Sequence, residues 1–315
     1  MATLNHFLQR GTPKRWQLNI IDIFNIPDTL AQRGFQVSSE CSLDETLIST
    51  KVNPLFNDST EEGRKICKDF LEAFNSKKNR ILLREIIFEG ASKKFPINSL
   101  ISLTFEASGD NTMRYAKTME LLLAYLCVKD LKAFSAASGL KISGAPTGSD
   151  FDCIANFQNT LFYCEVKSGS VLNISRDELK QFIARHNFLA PEASILFLDY
   201  EGGNSNVIDE LINKFSGLEN VRLNHLTYIR KAVKIEKDKK KFYMLSDDLI
   251  VVDLGKNGDI VSNLRAVMEF VHRKRQYRPD TTFNPNFEPP QPILLGYKST
   301  LLTLKNTSRS SIKIT

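Results

Sequence analysis

The chain lacks closely spaced cysteines, and this limits the kinds of site it can build. Five cysteines occur and none belongs to a C-x-x-C pair: Cys41, Cys67, Cys127, Cys153 and Cys164. An odd number without close spacing argues against a zinc site and against the disulfide framework of a secreted protein. It also argues against a cysteine-bound iron-sulfur cluster. We therefore expect reduced thiols and a cytoplasmic location.

Long hydrophobic runs, nucleotide-binding loops and internal repeats are also missing. No window approaches about 18 consecutive apolar residues, so no membrane span is expected. The first 20 residues, MATLNHFLQRGTPKRWQLNI, contain no apolar run of signal-peptide type. The pattern G-x-x-x-x-G-K-[ST] is absent, which excludes a P-loop ATPase. No repeat of fixed period is visible.

What is present is the composition of an ordinary globular protein. The 315 residues are 42% hydrophobic and 25% charged, enough for a full core in one large domain or two. The formal net charge of +6 permits a polyanionic partner such as nucleic acid without requiring one.

The middle of the chain, 110–200, gives the clearest pattern of elements. We predict first a helix at 111–134, with Gly139 as its terminator, then a strand at 140–146 and a hairpin within 149–169. A second helix follows, from the capping box Ser175-x-x-Glu178 to about Leu189, and then a strand at 194–199. The last three elements form a βαβ crossover, so the final strand should run parallel to the strand at 161–167.

The flanking regions are predicted to be mixed α+β extensions, 1–109 and 201–315. They contain predicted helices at 61–78, 206–215 and 259–276 and a predicted hairpin at 242–254. The segment at 80–90 either continues the first helix or starts a strand. A proline-rich arm is predicted at 278–292. No motif in either region indicates a function.

The hairpin SDFDCIANFQNTLFYCEVKSG, 149–169, places three charged residues together. Side chains alternate faces along a strand. Cys153, Ala155, Phe157, Phe162, Cys164 and Val166 therefore form one apolar face, and the other carries Asp152, Glu165 and Lys167. A loop at 158–159 sets Asp152 opposite Glu165, whereas a loop at 159–160 sets it opposite Lys167. In either register the three side chains come within cross-strand reach.

Such a grouping suits metal-assisted hydrolysis of a phosphodiester. Two close carboxylates repel each other unless a cation joins them. Mg²⁺ is commonly bound by one or two carboxylates together with phosphate oxygens and water, and a neighbouring lysine can orient a water molecule or stabilise negative charge. The alternative is an ordinary acid–lysine pair on an exposed hairpin, which contributes less than about 1 kcal/mol to stability.

Two further residues bear on this choice. Glu120 lies within YAKTMELLLAYL, where nearly every neighbour is apolar, and a buried acid is costly unless it is paired. Gln181 lies in LKQF, on the helix that follows the Glu165-x-Lys167 strand.

These features together resemble the PD-(D/E)xK nuclease superfamily. The resemblance covers about 90 of the 315 residues and implies a restriction-endonuclease-like αβββαβ core with a mixed sheet flanked by helices. It implies that Asp152, Glu165 and the Val166 carbonyl bind Mg²⁺, for which Mn²⁺ substitutes, and that Lys167 positions the attacking water. Glu120 would complete the metal shell or hold a second ion, and Gln181 matches a family position loosely.

The sequence departs from the family pattern at the first acid. Pro146 lies six residues before Asp152, so the nominal Pro-Asp dipeptide is absent. Asp150 and Asp152 share a predicted strand face, and alternation does not separate them. Asp152 is preferred because it runs directly into the apolar strand.

Contacts to nucleic acid are assigned to residues near the motif and to the basic clusters. Weak candidates are Ser168, Arg176, Lys239, Lys240, Arg273 and Arg275, although such basic runs are more often solvated surface.

Two other residues near the motif are given structural roles. His186 is predicted to lie on the helix surface. Tyr163 is predicted to pack in the core rather than to stack on a base.

The functional expectation is a metal-dependent endonuclease acting on DNA, of restriction or phage-defence type. Cleavage of both strands needs two active sites, which favours a homodimer; the chain could equally be a subunit of a multi-protein defence or recombination system. The alternatives are a non-catalytic nucleic-acid-binding or assembly module on the same fold, and a nuclease directed at RNA.

Overall fold

A computed structural model describes most of the central part of the chain. The described residues are 26–39, 45–48, 61–89, 93–105, 109–146, 150–157, 160–169, 173–199, 210–211, 214–215, 233–237, 240–245, 248–254 and 259–276. The chain divides into two units, Met1–Val271 and His272–Thr315. The elements below belong to the first unit, except for the last residues of the final helix.

Helices and strands alternate through the described residues. The helices are α1 (Ile26–Gln32), α2 (Glu61–Asn75), α3 (Lys77–Glu89), α4 (Gly109–Lys129), α5 (Arg176–Leu189) and α6 (Ile260–Gln276). The strands are β1 (Val37–Ser39), β2 (Lys93–Pro96), β3 (Ser102–Phe105), β4 (Ser135–Ile142), β5 (Phe151–Phe157), β6 (Thr160–Lys167), β7 (Ala193–Leu198), β8 (Val233–Lys237), β9 (Lys240–Met244) and β10 (Leu249–Asp253).

One mixed sheet organises the fold, with strand order β1-β4-β5-β6-β7-β10-β9-β8. The strands β4, β5 and β6 pair antiparallel, whereas β6, β7 and β10 run parallel. The predicted parallel pairing across α5 is therefore confirmed. The pair β2–β3 forms a separate antiparallel hairpin. The chain is a mixed α/β protein whose sheet is flanked by helices.

Apolar layers cover both faces of the sheet. Cys153, Ala155 and Val166 pack in one layer, together with buried residues of α2, α3, α4 and α6. Ile154 and Tyr163 pack in the other layer, with buried residues of α1 and α5. The predicted alternation is confirmed. The alternative of an exposed hairpin does not fit, because buried residues of helices pack against both faces. Burial of each large apolar side chain stabilises such a fold by about 1.5–3 kcal/mol.

The first predicted helix and strand differ from the structure at their shared boundary. Helix α4 ends at Lys129 rather than at 134, and Lys132 then adopts a left-handed conformation with φ 64°. Strand β4 begins at Ser135, five residues before the predicted start. Gly139 is therefore not a helix terminator but lies inside β4 with φ 58°, a conformation that glycine adopts without steric cost.

The flanking predictions are largely confirmed where the structure describes them. The segment at 80–90 belongs to a second helix, α3, which is separated from α2 by Ser76. The side chain of Arg80 donates to the carbonyl of Phe74 at 3.2 Å and so satisfies the end of α2. The hairpin β9–β10 and helix α6 match their predictions. The arm at 278–292 and most of 206–215 lie outside the described residues.

The regional boundaries at 109/110 and 200/201 stay predictions. Strand β10, from the predicted C-terminal extension, pairs with β7 of the predicted core. Among the described residues, Cys67, Cys127, Cys153 and Cys164 are buried thiols that form no disulfide bond, and Cys41 lies outside the described residues. None of the described helices has the length and apolar character needed to cross a membrane.

Candidate active site

The register of the β5–β6 hairpin brings the predicted acids together. Phe157 pairs with Thr160, and Cys153 pairs with Cys164. This is the first of the two registers that the sequence allowed, and it sets Asp152 opposite Glu165. The N–H of Val166 donates to Oδ2 of Asp152 at 2.7 Å, which fixes this carboxylate against the neighbouring strand.

Asp152 and Glu165 are both buried, with 9% and 3% of their surface exposed. Burial raises the pKa of Asp152 well above its ordinary value, and the charges of Glu165 and Glu120 raise it further. An ordinary acid–lysine pair on an exposed hairpin does not fit these residues, because both carboxylates lie in the protein interior. Buried carboxylates without a full set of counter-charges are costly and are typical of functional sites.

Three side chains hold Glu165. Its Oε1 lies 3.0 Å from Nζ of Lys167, and its Oε2 lies 2.6 Å from Nη1 of Arg185 on α5. The hydroxyl of Tyr163 donates to the same Oε2. Tyr163 is fully buried and packs edge to face against Phe151, so the expectation that it serves core packing is confirmed.

Glu120 reaches this group of acids from α4. It is 5% exposed, and its Oε2 accepts a hydrogen bond of 3.1 Å from Lys117. Burial raises its pKa to about 8; Lys117 opposes this shift, whereas the charges of Asp150 and Glu165 add to it. The mutual repulsion with Glu165 indicates that the helix acid and the hairpin acids share one electrostatic environment.

The structure gives Asp150 and Asp152 different environments. The alternation of side chains along the strand did not decide which of them is the first acid of the motif. Asp150 lies just before β5, is partly exposed and forms an ion pair with Lys117. Burial opposes ionisation of Asp150, but the hydrogen bond and charge of Lys117 outweigh burial and lower its pKa. Asp152 instead faces Glu165 and stays the better candidate for the metal.

Lys167 lies between two acids at the end of β6. Its Nζ contacts Glu165 and also Oε1 of Glu178 at 3.2 Å. Burial opposes its charge, but Glu165 and Asp152 outweigh burial and raise its pKa, so the ammonium stays protonated at neutral pH. Glu178 also completes the capping box of α5 with Ser175, as predicted. The helix cap therefore helps to position the lysine.

Acidic side chains outnumber basic side chains in this network. Among the described residues, the network includes five acidic side chains, Glu120, Asp150, Asp152, Glu165 and Glu178. It includes three basic side chains, Lys117, Lys167 and Arg185.

No group of three acidic, histidine or cysteine side chains within the described ranges forms a ready-made metal cluster. Carboxylate and carbonyl oxygens at Asp152, Glu165 and Val166 nevertheless fit a hard divalent ion, since Mg²⁺ needs only one or two protein carboxylates.

The remaining predicted residues lie at the edge of this site or outside the described part. Ser168 is half-buried directly after Lys167, and Arg176 is exposed at the start of α5. Gln181 is also exposed, whereas Glu178 and Arg185 of the same helix contact Lys167 and Glu165. Its role stays a prediction. Lys239 lies outside the described residues, as do the side chains of Lys240, Arg273 and Arg275.

Lys117 and Arg185 are the participants that sequence reasoning missed. Lys117 precedes Glu120 by one helical turn, and this spacing was the available signal. Arg185 follows Phe182 by three residues on the face of α5 that is buried. A buried arginine on an amphipathic helix needs an acidic partner, but the sequence does not name that partner.

His186 is not helix surface as the sequence predicted. It is 8% exposed, its Nδ1 lies 2.9 Å from Oγ of Ser194, and its Nε2 lies 3.5 Å from Oδ2 of Asp248. The reason is that Asp248 directly precedes β10, which joins the sheet next to β7, and its carboxylate reaches His186 on α5. Ser194 is fully buried, so the three residues hold elements together rather than face a substrate.

No protein-family model matches the chain, and no curated protein matches it. The function is therefore argued from the geometry of the site.

Proposed function

We propose that the chain is a Mg²⁺-dependent endonuclease that hydrolyses DNA phosphodiester bonds, with a restriction-endonuclease-like core of the PD-(D/E)xK type. The observation that carries this proposal is the buried pair Asp152 and Glu165, held opposite each other with Lys167 beside them. The order α4-β4-β5-β6-α5-β7 supports it as well, because it is the αβββαβ order of that core.

The proposed roles follow from the chemistry of each group. Asp152, Glu165 and the Val166 carbonyl would hold the ion, and the Glu120 carboxyl would share their electrostatic environment from α4. The ion, when bound, supplies Lewis-acid activation of a phosphoryl oxygen and of water. Lys167 orients the attacking water and stabilises negative charge on the phosphate. Glu178 and Glu165 hold the lysine in place through its two ion pairs.

DNA is the proposed substrate because the superfamily that the motif resembles includes restriction and repair nucleases, and the formal net charge of +6 suits a polyanion. Cleavage of both strands of a duplex needs two such sites, so a homodimer on DNA is part of the proposal. Restriction or phage defence is the proposed biological use.

The test is cleavage of supercoiled plasmid, linear duplex, single-stranded DNA and RNA in the presence of Mg²⁺, Mn²⁺ or EDTA. We expect metal-dependent DNA cutting that falls about 100-fold or more in Asp152→Ala and in Lys167→Ala. Lys180→Ala is the matched control, because this lysine is exposed on α5 and pairs with Asp177.

Three outcomes would contradict the proposal. The first is an absence of cutting with every metal, and the second is cutting that survives Asp152→Ala. The third is cutting of RNA alone, which would assign a different substrate to the same site. DNA binding without cutting would favour a non-catalytic module instead.

A further inference from the structure

A second lysine contacts the acids from α4. Nζ of Lys117 bridges Oε2 of Glu120, at 3.1 Å, and Oδ2 of Asp150. Its side chain is 21% exposed, the same value as that of Lys167. One ammonium group therefore lies between two carboxylates at the edge of the site. A metal ion could bridge two carboxylates in the same way.

The acids consequently form two groups with different counter-charges. Glu120 and Asp150 share Lys117, and Glu165 is paired with Lys167 and Arg185. Asp152 differs from all of them: within the described ranges it forms no ion pair, and its hydrogen bond comes from the backbone N–H of Val166. Asp152 is thus the buried acid of the site that has no cationic side chain within ion-pair distance in the described ranges, and it lies opposite Glu165.

We propose that Lys117 occupies the place of a second cation, so that the site takes one divalent ion, at Asp152 and Glu165, rather than two. This inference rests on the proposed function. Lys117 acts as a positioning residue that holds Glu120 and Asp150 together. Replacement of its ammonium by an apolar group leaves these two carboxylates facing each other and opens a place for a second ion.

Counting bound Mn²⁺ on the full chain without nucleic acid tests the inference independently of catalysis. Free Mn²⁺ is measured by electron paramagnetic resonance during titration, and calorimetry gives the affinity. We expect one ion per wild-type chain, a second and weaker ion in Lys117→Met, and one ion in Lys117→Arg, which keeps the positive charge. Asp150→Asn combined with Lys117→Met should return the count to one, because it removes one of the two carboxylates that Lys117 bridges in the wild type.

Controls separate the failure of this inference from the failure of the proposed function. Lys180→Met, on an exposed ion pair, should bind one ion like the wild type, and Asp152→Asn should bind none. Two ions in the wild type, or a single ion in Lys117→Met, would overturn the inference and leave the nuclease proposal intact. No binding by the wild type at millimolar Mn²⁺ would overturn both. Circular dichroism of each variant establishes that it is folded.

Discussion

Arg185 and Glu165 form a buried ion pair that joins helix α5 to the strand carrying the candidate active site. The guanidinium Nη1 lies 2.6 Å from the carboxylate Oε2, and both side chains are about 5% exposed or less. Burial opposes the charge on Arg185, but Glu165 outweighs burial and raises the pKa of the guanidinium. The guanidinium therefore stays charged, and it fixes the orientation of a carboxylate proposed to bind metal.

Removal of this guanidinium should destabilise the protein. Arg185→Met leaves the buried Glu165 without one of its two cations, and we expect the free energy of unfolding to fall by about 3 kcal/mol. Urea denaturation measures this change. The control is Arg176→Met, an exposed arginine at the start of the same helix, for which a change within about 0.5 kcal/mol is expected. Equal losses in the two variants would show that the ion pair has no special role.

Replacement of Asp152 should separate stability from activity. Asp152→Asn removes a buried carboxyl group whose pKa is raised by burial and by the charges of Glu165 and Glu120. Its amide oxygen can still accept the hydrogen bond from Val166. We expect the metal-free variant to be at least as stable as the wild type, and its nuclease activity to fall about 100-fold or more.

Thermal unfolding with and without Mn²⁺ checks the stability part of this prediction. Mn²⁺ should raise the Tm of the wild type but not that of Asp152→Asn. A variant that is clearly less stable than the wild type in EDTA would show that the charge of Asp152 is already compensated in the metal-free protein.

The stability of the metal-free protein should depend on pH through Glu120. Its pKa is about 8 in the folded chain, against an ordinary value of 4.5. The folded state therefore binds more protons than the unfolded state between these values, so stability falls as pH rises through this window. Asp150 and Glu178, whose pKa values are lowered, contribute the opposite dependence only at more acidic pH.

Urea midpoints in EDTA from about pH 5 to about pH 8 measure this effect. Glu120→Gln should flatten the decline, because an amide does not titrate. Mn²⁺ should stabilise the wild type increasingly over the same range, since the metal binds the ionised carboxylates. A wild-type midpoint that rises with pH in EDTA would contradict the prediction.

Asp199 should be needed for the attachment of helix α3 to the sheet. Its Oδ2 lies 2.8 Å from Nη2 of Arg84 and accepts a hydrogen bond of 3.2 Å from Tyr115, and its Oδ1 lies 3.4 Å from Nε of Arg80. Asp199→Asn leaves two largely buried guanidinium groups without this counter-charge. We expect a loss of about 3 kcal/mol in the free energy of unfolding.

The matched control for Asp199 is Asp177→Asn, because the side chain of Asp177 is 81% exposed and pairs only with an exposed lysine in the described contacts. A change within about 0.5 kcal/mol is expected there. A similarly small change in Asp199→Asn would mean that other contacts of Arg80 and Arg84 hold the helix.

Local rules were sufficient for the hairpin and its neighbours. Strict alternation of apolar residues set the faces of β5 and β6, and it restricted the hairpin to two registers, of which the structure adopts the one that pairs Phe157 with Thr160. The spacing of Ser175 and Glu178 predicted the start of α5. The boundary between α4 and β4 was wrong because Gly139 was read as a helix terminator, whereas strand pairing with β5 extends back to Ser135.

The sequence by itself determined the element order, the hairpin faces and the convergence of Asp152, Glu165 and Lys167, because these depend on residues close together along two adjacent strands. Only the tertiary structure decided between Asp150 and Asp152, and only it brought Lys117 and Arg185 to the acids. These ion pairs join residues 33 and 20 positions apart. They form when helices pack against the sheet. That packing shields Glu165 from water, so the loss of its counter-charge is expected to be costly.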